Sequence, residues 1–267
     1  MMLTIDSGNT NIVFAIFNDD GTIAGQWRAA TNVNRTADEF GIWLRQLMDV
    51  DGVDRTKVDS AIIATVVPAN LINLKGLCRK YFDCDPLVVG DPTLDLGIKV
   101  LLDNPREVGA DRICNAVAAH LTYEGALLVL DFGTATTFDV VDGEGNYRGG
   151  VIYPGLNLSL EALHMGAAQL PRVAVEKPDK IIGTSTVGAM KSGIFWGHVS
   201  IIEGITARIS QEFGDRFTVI ATGGLAPMFD EITDVIDHCD LDLTLRGLYA
   251  IHRRNRPTKA SIVAARA

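Results

Sequence analysis

Two short stretches carry the residue types that handle phosphate. Asp6-Ser7-Gly8-Asn9-Thr10 follows one apolar run, and Asp131-Phe132-Gly133-Thr134-Ala135-Thr136 follows another. A strand ending in Asp-x-Gly sets a carboxylate beside a bend of exposed backbone N–H groups. Glycine there lets a phosphate approach closely, because it has no Cβ. Asn9 and Thr10 add side-chain donors. Asp6 is placed to hold a hydrated Mg²⁺ against phosphates, since that ion takes one or two carboxylates plus water and phosphate oxygens. In the second stretch Thr134, Thr136 and Thr137 offer hydroxyls that do not repel phosphate, and Asp131 can take a cation directly or through water. One such turn is ordinary hairpin chemistry. Two of them, opening two similar halves, point to a bound nucleotide.

Thr222-Gly223-Gly224 follows a third apolar run, and its paired glycines allow a flat ligand to lie against the backbone, most simply the adenosine side of the nucleotide. Competing motifs fail. Gly183-Thr184-Ser185-Thr186-Val187-Gly188-Ala189-Met190-Lys191-Ser192 resembles a phosphate-binding loop, but Lys191 does not directly follow Gly188. No Gly-x-Gly-x-x-Gly follows the first strand, and no Gly-x-Ser-x-Gly occurs.

The elements that must carry these turns repeat. Met2–Asp6, Asn11–Phe17 and Thr22–Ala30 read as strands, with hairpin chemistry at Asn18-Asp19-Asp20-Gly21. Thr36 with Glu39 forms a capping box, after which Phe40, Leu44, Leu47 and Met48 recur at helical spacing. Ser60–Val67 is a strand, Leu87–Gly90 a short one, and Glu107–Leu121 a helix. From Ala126 the order begins again: a buried strand, the Asp131 turn, Phe138–Val141, then Asp142-Gly143-Glu144-Gly145. Ile63-Ala64-Thr65 is echoed by Ile220-Ala221-Thr222. The plan is a duplicated α/β fold, β-β-β-α-β-α in each half, with a boundary at 122/123 between residues 1–122 and 123–267. The long periodic segment 186–213 carries a stripe of Met190, Ile194, Gly197, Ile201, Ile205 and Ile209, expected to be a core or dimer face.

Bulk properties limit the rest. In 267 residues, 47% are hydrophobic and 21% charged, which suits a packed core rather than disorder. A net charge of −9 without a basic stripe argues against nucleic acid as a partner. The run His252-Arg253-Arg254-Asn255-Arg256 is short and reads as a solvated helix end. Cys78, Cys84, Cys114 and Cys239 show no metal spacing and read as reduced thiols. No stretch is apolar for the length of a membrane span, and no basic-then-apolar leader opens the sequence, so the expected setting is cytoplasmic.

Together these motifs resemble the type III pantothenate kinase family, within the acetate and sugar kinase, heat-shock cognate and actin superfamily. The most specific piece is Asp103-Asn104-Pro105-Arg106-Glu107-Val108-Gly109-Ala110-Asp111-Arg112. Asp6–Thr10, Asp131–Thr136, Gly149-Gly150-Val151-Ile152-Tyr153-Pro154-Gly155, Leu170-Pro171 and Thr222-Gly223-Gly224 follow in the family's order. The resemblance implies an actin-like (ribonuclease H-like) fold with mixed sheets and the ATP-dependent phosphorylation of pantothenate to 4′-phosphopantothenate, the first step of coenzyme A biosynthesis. It implies that Asp6, Ser7, Gly8, Asn9, Thr10, Asn11, Ile12 and Val13 form the ATP phosphate loop and that Thr134 contacts ATP. Gly109, Ala110, Asp111, Arg112 and Thr186 would bind pantothenate, with Asp111 as the base for its primary hydroxyl. Asp131 would hold a monovalent cation, K⁺ or NH₄⁺, beside the Mg²⁺ that accompanies ATP, and the protein would be a homodimer.

These roles make chemical sense. Phosphoryl transfer to a poor alcohol nucleophile needs positioning and charge stabilisation above all. Arg112 offers a rigid fork to the substrate's carboxylate or amide oxygens. One departure stands out. Many relatives carry a tyrosine shortly before the Asn-Pro pair, whereas Lys99-Val100-Leu101-Leu102-Asp103 has no aromatic residue. Either the pocket wall is apolar there or another residue fills the place. His164 is open to two readings, a substrate contact or a satisfied helical histidine. Fold alone would also permit another alcohol kinase, or an accessory protein that keeps only nucleotide binding.

Overall fold

The computed structural model describes residues 1–166 and 170–256. In chain order the elements are β1 (Met2–Ser7), β2 (Asn11–Phe17), β3 (Ile23–Ala30), α1 (Ala37–Val50), β4 (Ser60–Thr65), α2 (Leu71–Phe82), β5 (Leu87–Val88), α3 (Ala110–Thr122), β6 (Leu127–Phe132) and β7 (Ala135–Val141). There follow β8 (Tyr147–Pro154), α4 (Leu156–Gly166), α5 (Thr186–Phe213), β9 (Thr218–Thr222), α6 (Ala226–Asp230), β10 (His238–Cys239) and α7 (Leu243–Asn255).

The duplication is explicit in the sheets. One runs β3-β2-β1-β4-β5 and the other β8-β7-β6-β9-β10, so each strand of the second occupies the place of the strand five earlier. In both, the first three strands are antiparallel neighbours and the last two join in parallel. The mixed α/β fold expected from the repeated motifs is therefore present. The Ile-Ala-Thr echo is offset from it by one residue. Asp6 pairs with Ala64, while Asp131 pairs with Thr222, so Ala64 and Thr222 are the equivalent positions.

The first compact unit holds, among the described residues, Met1–Lys99, Asp103–Ala118 and residues 243–256. Alternation along its strands splits the apolar residues between two faces. Leu3, Ile5, Ile12, Phe14 and Ile16 bury one face under Phe40, Leu44 and Met48 of α1 and Leu74, Leu77 and Cys78 of α2. Thr36 caps α1 through the expected box, accepting from Glu39 N–H while Glu39 accepts from Thr36 N–H. The opposite face takes α7, where Tyr249 stacks on Phe17 at 4.9 Å between ring centres. Each fully buried large side chain, such as Phe14, Phe17 or Phe40, is worth about 1.5–3 kcal/mol. A single cut at 122/123 thus does not describe the units. The apolar side of α7 belongs with β1 and β4, so this helix returns to the first unit.

The second unit holds Val100–Leu102 and Ala119–Asp242. Leu128, Leu130, Phe132, Phe138 and Val140 pack against Phe195, Val199 and Ile202 of α5 and Phe229 of α6. The expected α5 stripe is turned slightly. Ile194, Ile201, Ile205 and Ile209 are only partly buried along the edge of this core. The buried face keeps Met190 of that stripe and runs on through Ser192, Phe195, His198, Val199, Ile202 and Thr206, which includes three polar residues that periodicity of apolar types does not count.

Candidate active site

In the first unit the phosphate turn joins β1 to β2. Gly8 N–H closes it onto the carbonyl of Asn11 at 3.0 Å. Thr31, just past β3, braces it by donating its hydroxyl to Gly8 O at 2.6 Å and its N–H to Thr10 O at 2.9 Å. Asp6 is half-buried at the end of β1, and Asn9, Thr10 and Asn11 are exposed. Ser7 and Ile12 are fully buried, so neither side chain offers itself to a ligand and only their backbone can take part. Ser7 Oγ accepts from Asn70 Nδ2 at 3.2 Å. Val13 is half-buried.

The Gly109–Arg112 motif starts α3. Ile113 N–H bonds to Gly109 O at 3.1 Å, so the helix begins there, and Asp111 sits in its first turn, where an acidic side chain is favoured. The carboxylate of Asp111 folds back, accepting Arg112 N–H at 2.8 Å. A Cβ on Gly109 would stand 2.6 Å from Asp111 Oδ1 and 3.5 Å from Val66 Cγ1. That crowding is the physical reason for glycine at this place. Burial pushes the Asp111 carboxyl above its ordinary pKa, against the opposing pull of the Arg112 N–H and charge. A carboxyl raised in this way is a better proton acceptor near neutral pH.

Val66 links motif and turn. It follows β4, donates its N–H to Ser7 O at 3.1 Å, and touches the Gly109 position. Cys114 reports the same neighbourhood. It is fully buried in α3, and its thiol is driven well above the ordinary value by burial first and then by the charges of Asp6 and Asp111. Cys114 is a free thiol packed inside the unit. Asp6, Ser7, Gly8, Gly109 and Asp111 therefore belong to one corner of the first unit. Thr31, Val66 and Asn70 support it and carry no sequence signature beyond their type.

In the second unit Asp131 occupies the place of Asp6, and Gly133 N–H closes the turn onto Ala135 O at 3.0 Å. Thr134 is exposed, and its carbonyl accepts Gly155 N–H at 3.1 Å, which ties the Gly149–Gly155 motif to this turn. The three threonines separate. Thr136 is fully buried and shares a hydrogen bond of 3.0 Å with His198 Nε2, and burial holds His198 down at a pKa of about 4, so its ring is neutral. Thr137 gives its hydrogen to Asp139 Oδ2 at 3.0 Å. Of the three hydroxyls, Thr134 is the exposed one.

Gly223, at φ +90°, takes a backbone conformation that other residues rarely adopt. A Cβ there would lie 2.7 Å from both Asp131 Oδ1 and the Phe132 carbonyl oxygen. A carboxylate oxygen and a main-chain oxygen thus converge on a cradle kept open by glycine. Hard oxygen donors of low total charge suit a monovalent cation. Among the described residues no cluster of three or more His, Cys, Asp or Glu side chains could hold a metal ion. A lone carboxylate such as Asp6 fits Mg²⁺ that takes its other ligands from phosphate and water.

Thr186 is exposed at the first position of α5, after the cap Ser185, whose Oγ accepts Gly188 N–H at 3.0 Å. Lys191 in the same segment is spent on Glu176 at 2.6 Å, consistent with rejecting a phosphate-binding lysine there. His164 is half-buried, with Nδ1 bonded to Leu170 O at 2.6 Å. That is the satisfied helical histidine. Of the segment lacking the tyrosine, Leu101 N–H bonds to Tyr147 O at 2.9 Å and Val100 bridges to Tyr147.

A five-stranded mixed sheet present twice, with an Asp-x-Gly turn at the same register position in each copy, is the actin-like ATPase fold. Solved structures share that fold. The activator of 2-hydroxyisocaproyl-CoA dehydratase from Clostridium difficile, with bound ADPNP, aligns at a TM-score of 0.54 and 15% identity over 95% of each chain. Component A of (R)-2-hydroxyglutaryl-CoA dehydratase from Acidaminococcus fermentans aligns at 0.52 and 16%, over 96% of this chain and 99% of that one. The profile of type III pantothenate kinases matches residues 2–208. Proteins of that name from Paramagnetospirillum magneticum and Rhodospirillum rubrum are each 63% identical, over 96% of this chain and 98% and 100% of theirs. The chain belongs to the type III pantothenate kinase family.

Proposed function

We propose that this chain transfers the γ-phosphoryl group of ATP to the primary hydroxyl of pantothenate, giving 4′-phosphopantothenate and ADP, the first step of coenzyme A biosynthesis. The observation that carries the mechanism is the Asp111 carboxylate, raised in pKa by burial and lodged in the corner that holds the Asp6–Gly8 turn. The hydroxyl oxygen forms a bond to the γ-phosphorus as the bond from that phosphorus to the bridging oxygen breaks. The proton of the hydroxyl passes to Asp111, and the electron pair leaves with ADP. The loop of residues 6–13 orients the phosphates, Thr134 contacts ATP, and Arg112 and Thr186 hold pantothenate. Mg²⁺ bound with ATP, beside Asp6, neutralises phosphate charge. Asp131 holds K⁺ or NH₄⁺.

The proposed setting is the cytoplasm; among the described residues no helix is long and apolar enough to cross a membrane. The proposed assembly is a homodimer. Ile152, Met165, Ile181 and Ile182 are each more than 60% exposed and supply apolar surface for it. The test is turnover of the purified protein with ATP, Mg²⁺ and K⁺ across pantothenate, sugars, glycerol and other small alcohols, with the product mass read directly. Pantothenate should be preferred, with one phosphate added per ADP released. Preference for another alcohol would overturn the substrate, and ATP binding without transfer to any of them would overturn the activity.

A further inference from the structure

We propose that Thr137 is an oxygen ligand of the monovalent cation assigned to Asp131, and that Asp139 and Tyr147 are the positioning residues that aim it. The inference rests on that reading of Asp131 and deepens it.

The strand register makes the first point. Asp131 of β6 pairs with Thr137 of β7, and paired residues project from the same face of the sheet. Both are half-buried. Thr137 is therefore the neighbour of Asp131 across the strand pair, whereas Thr136 projects to the other face and meets His198.

Hydrogen bookkeeping makes the second point. Thr137 Oγ1 donates to Asp139 Oδ2 at 3.0 Å, and Asp139 Oδ1 accepts the Tyr147 hydroxyl at 2.6 Å. Each carboxylate oxygen of Asp139 thus takes one hydroxyl hydrogen, one from Thr137 and one from Tyr147. Asp139 and Tyr147 are fully buried, and a carboxylate taken out of water holds its hydrogen bonds strongly. Tyr147 is itself anchored, since its carbonyl accepts Leu101 N–H at 2.9 Å. A threonine hydroxyl has one hydrogen and two lone pairs. With the hydrogen committed to Asp139, Thr137 presents only lone pairs elsewhere. It is built as an acceptor and is a poor partner for a phosphate oxygen.

The oxygens at Gly223 make the third point. Asp131 Oδ1 and Phe132 O already crowd the Gly223 position at 2.7 Å each. Those two oxygens lie on the β9 side of Asp131, and Thr137 adds a neutral oxygen on its β7 side, which raises the number of oxygen donors around Asp131 without a charge of its own.

The test uses the full chain with Mg²⁺ and ADP or ATP, and KCl exchanged for N-methylglucamine chloride at fixed ionic strength. Two readouts are taken: the K⁺ concentration giving half of the K⁺-dependent rise in Tm, and that giving half-maximal activity. Thr137→Val should raise both by at least about tenfold, and Tyr147→Phe in the same direction by about tenfold, the lower end for loss of a positioning partner. Thr137→Ser, which keeps the hydroxyl, should stay at the wild-type values. Wild-type K⁺ dependence in Thr137→Val, or a Thr137→Ser as weak as Thr137→Val, overturns the inference. Should Thr137→Val fail to fold, an unchanged Tyr147→Phe overturns it instead. A wild-type protein that does not distinguish K⁺ from N-methylglucamine overturns the cation at Asp131 and this inference with it.

Discussion

Gly109 leaves the place of its missing side chain to the carboxylate of Asp111, whose Oδ1 lies 2.6 Å from where that carbon would stand. The proton acceptor proposed for the reaction is thus seated by the absence of an atom two residues before it. Gly109→Ala should push the carboxylate out of place. Displacing a reacting group by about 1 Å costs on the order of 10²-fold in rate. The expected result is a kcat lower by about that factor with a Tm close to wild type. A variant within twofold of wild-type kcat would show that the seating is unimportant.

Asp111 itself links activity to stability. Its folded pKa is raised above the unfolded value by burial. For a group shifted upward, the contribution to stability is complete below the unfolded pKa and is lost as pH rises through the folded one. At neutral pH the ionised carboxylate is therefore a burden on the fold. Asp111→Asn should lower kcat by about 10²–10⁴-fold, as loss of a general base does, and raise Tm at pH 7. The acid limb of kcat/KM should fall above the ordinary carboxylate range, because the base works only when ionised. A kcat near wild type would remove Asp111 as the base, and a lower Tm at pH 7 would contradict the sign of the shift.

Gly247 of α7 lies directly against the backbone of α3. A Cβ there would run into the backbone carbonyl of Cys114, which has no room to give. The same crossing is pinned by Thr244 Oγ1 donating to Asn115 Oδ1 at 2.7 Å. Overpacking of this kind typically costs about 1–3 kcal/mol. Gly247→Ala should lower Tm by several degrees in a thermal melt and, because α3 begins at Ala110 with Asp111 next to it, also reduce kcat. A variant with unchanged Tm would show that the two helices can move apart freely.

Much of this was legible in the residues. Asp6 and Asp131 mark the same strand position in two copies because a turn rich in backbone donors requires the same few residue types each time. The Thr36–Glu39 box announced α1 for a local reason, and local reasons survive folding. Three things were not legible. The Ile-Ala-Thr echo misplaces the register by one residue, since pairing is set by the sheet and not by identical letters. The face of α5 turned on His198 and Thr206, polar residues whose burial depends on partners distant in sequence, such as Thr136. The three threonines after Asp131 looked alike, yet strand alternation and Asp139 sort them into three different surroundings.

The return of α7 to the first unit also sets an order of events. The back of the β1–β4 sheet, with Phe17 waiting for Tyr249, is covered by residues made long after the rest of its unit. At ~5–20 residues per second, the interval between completing Ala118 and reaching Leu243 is on the order of ten seconds. During that time the nascent first unit exposes an apolar sheet face to the cell. Chaperone demand, and the harm done by early stop codons or by fusions that trap α7, should concentrate in that window.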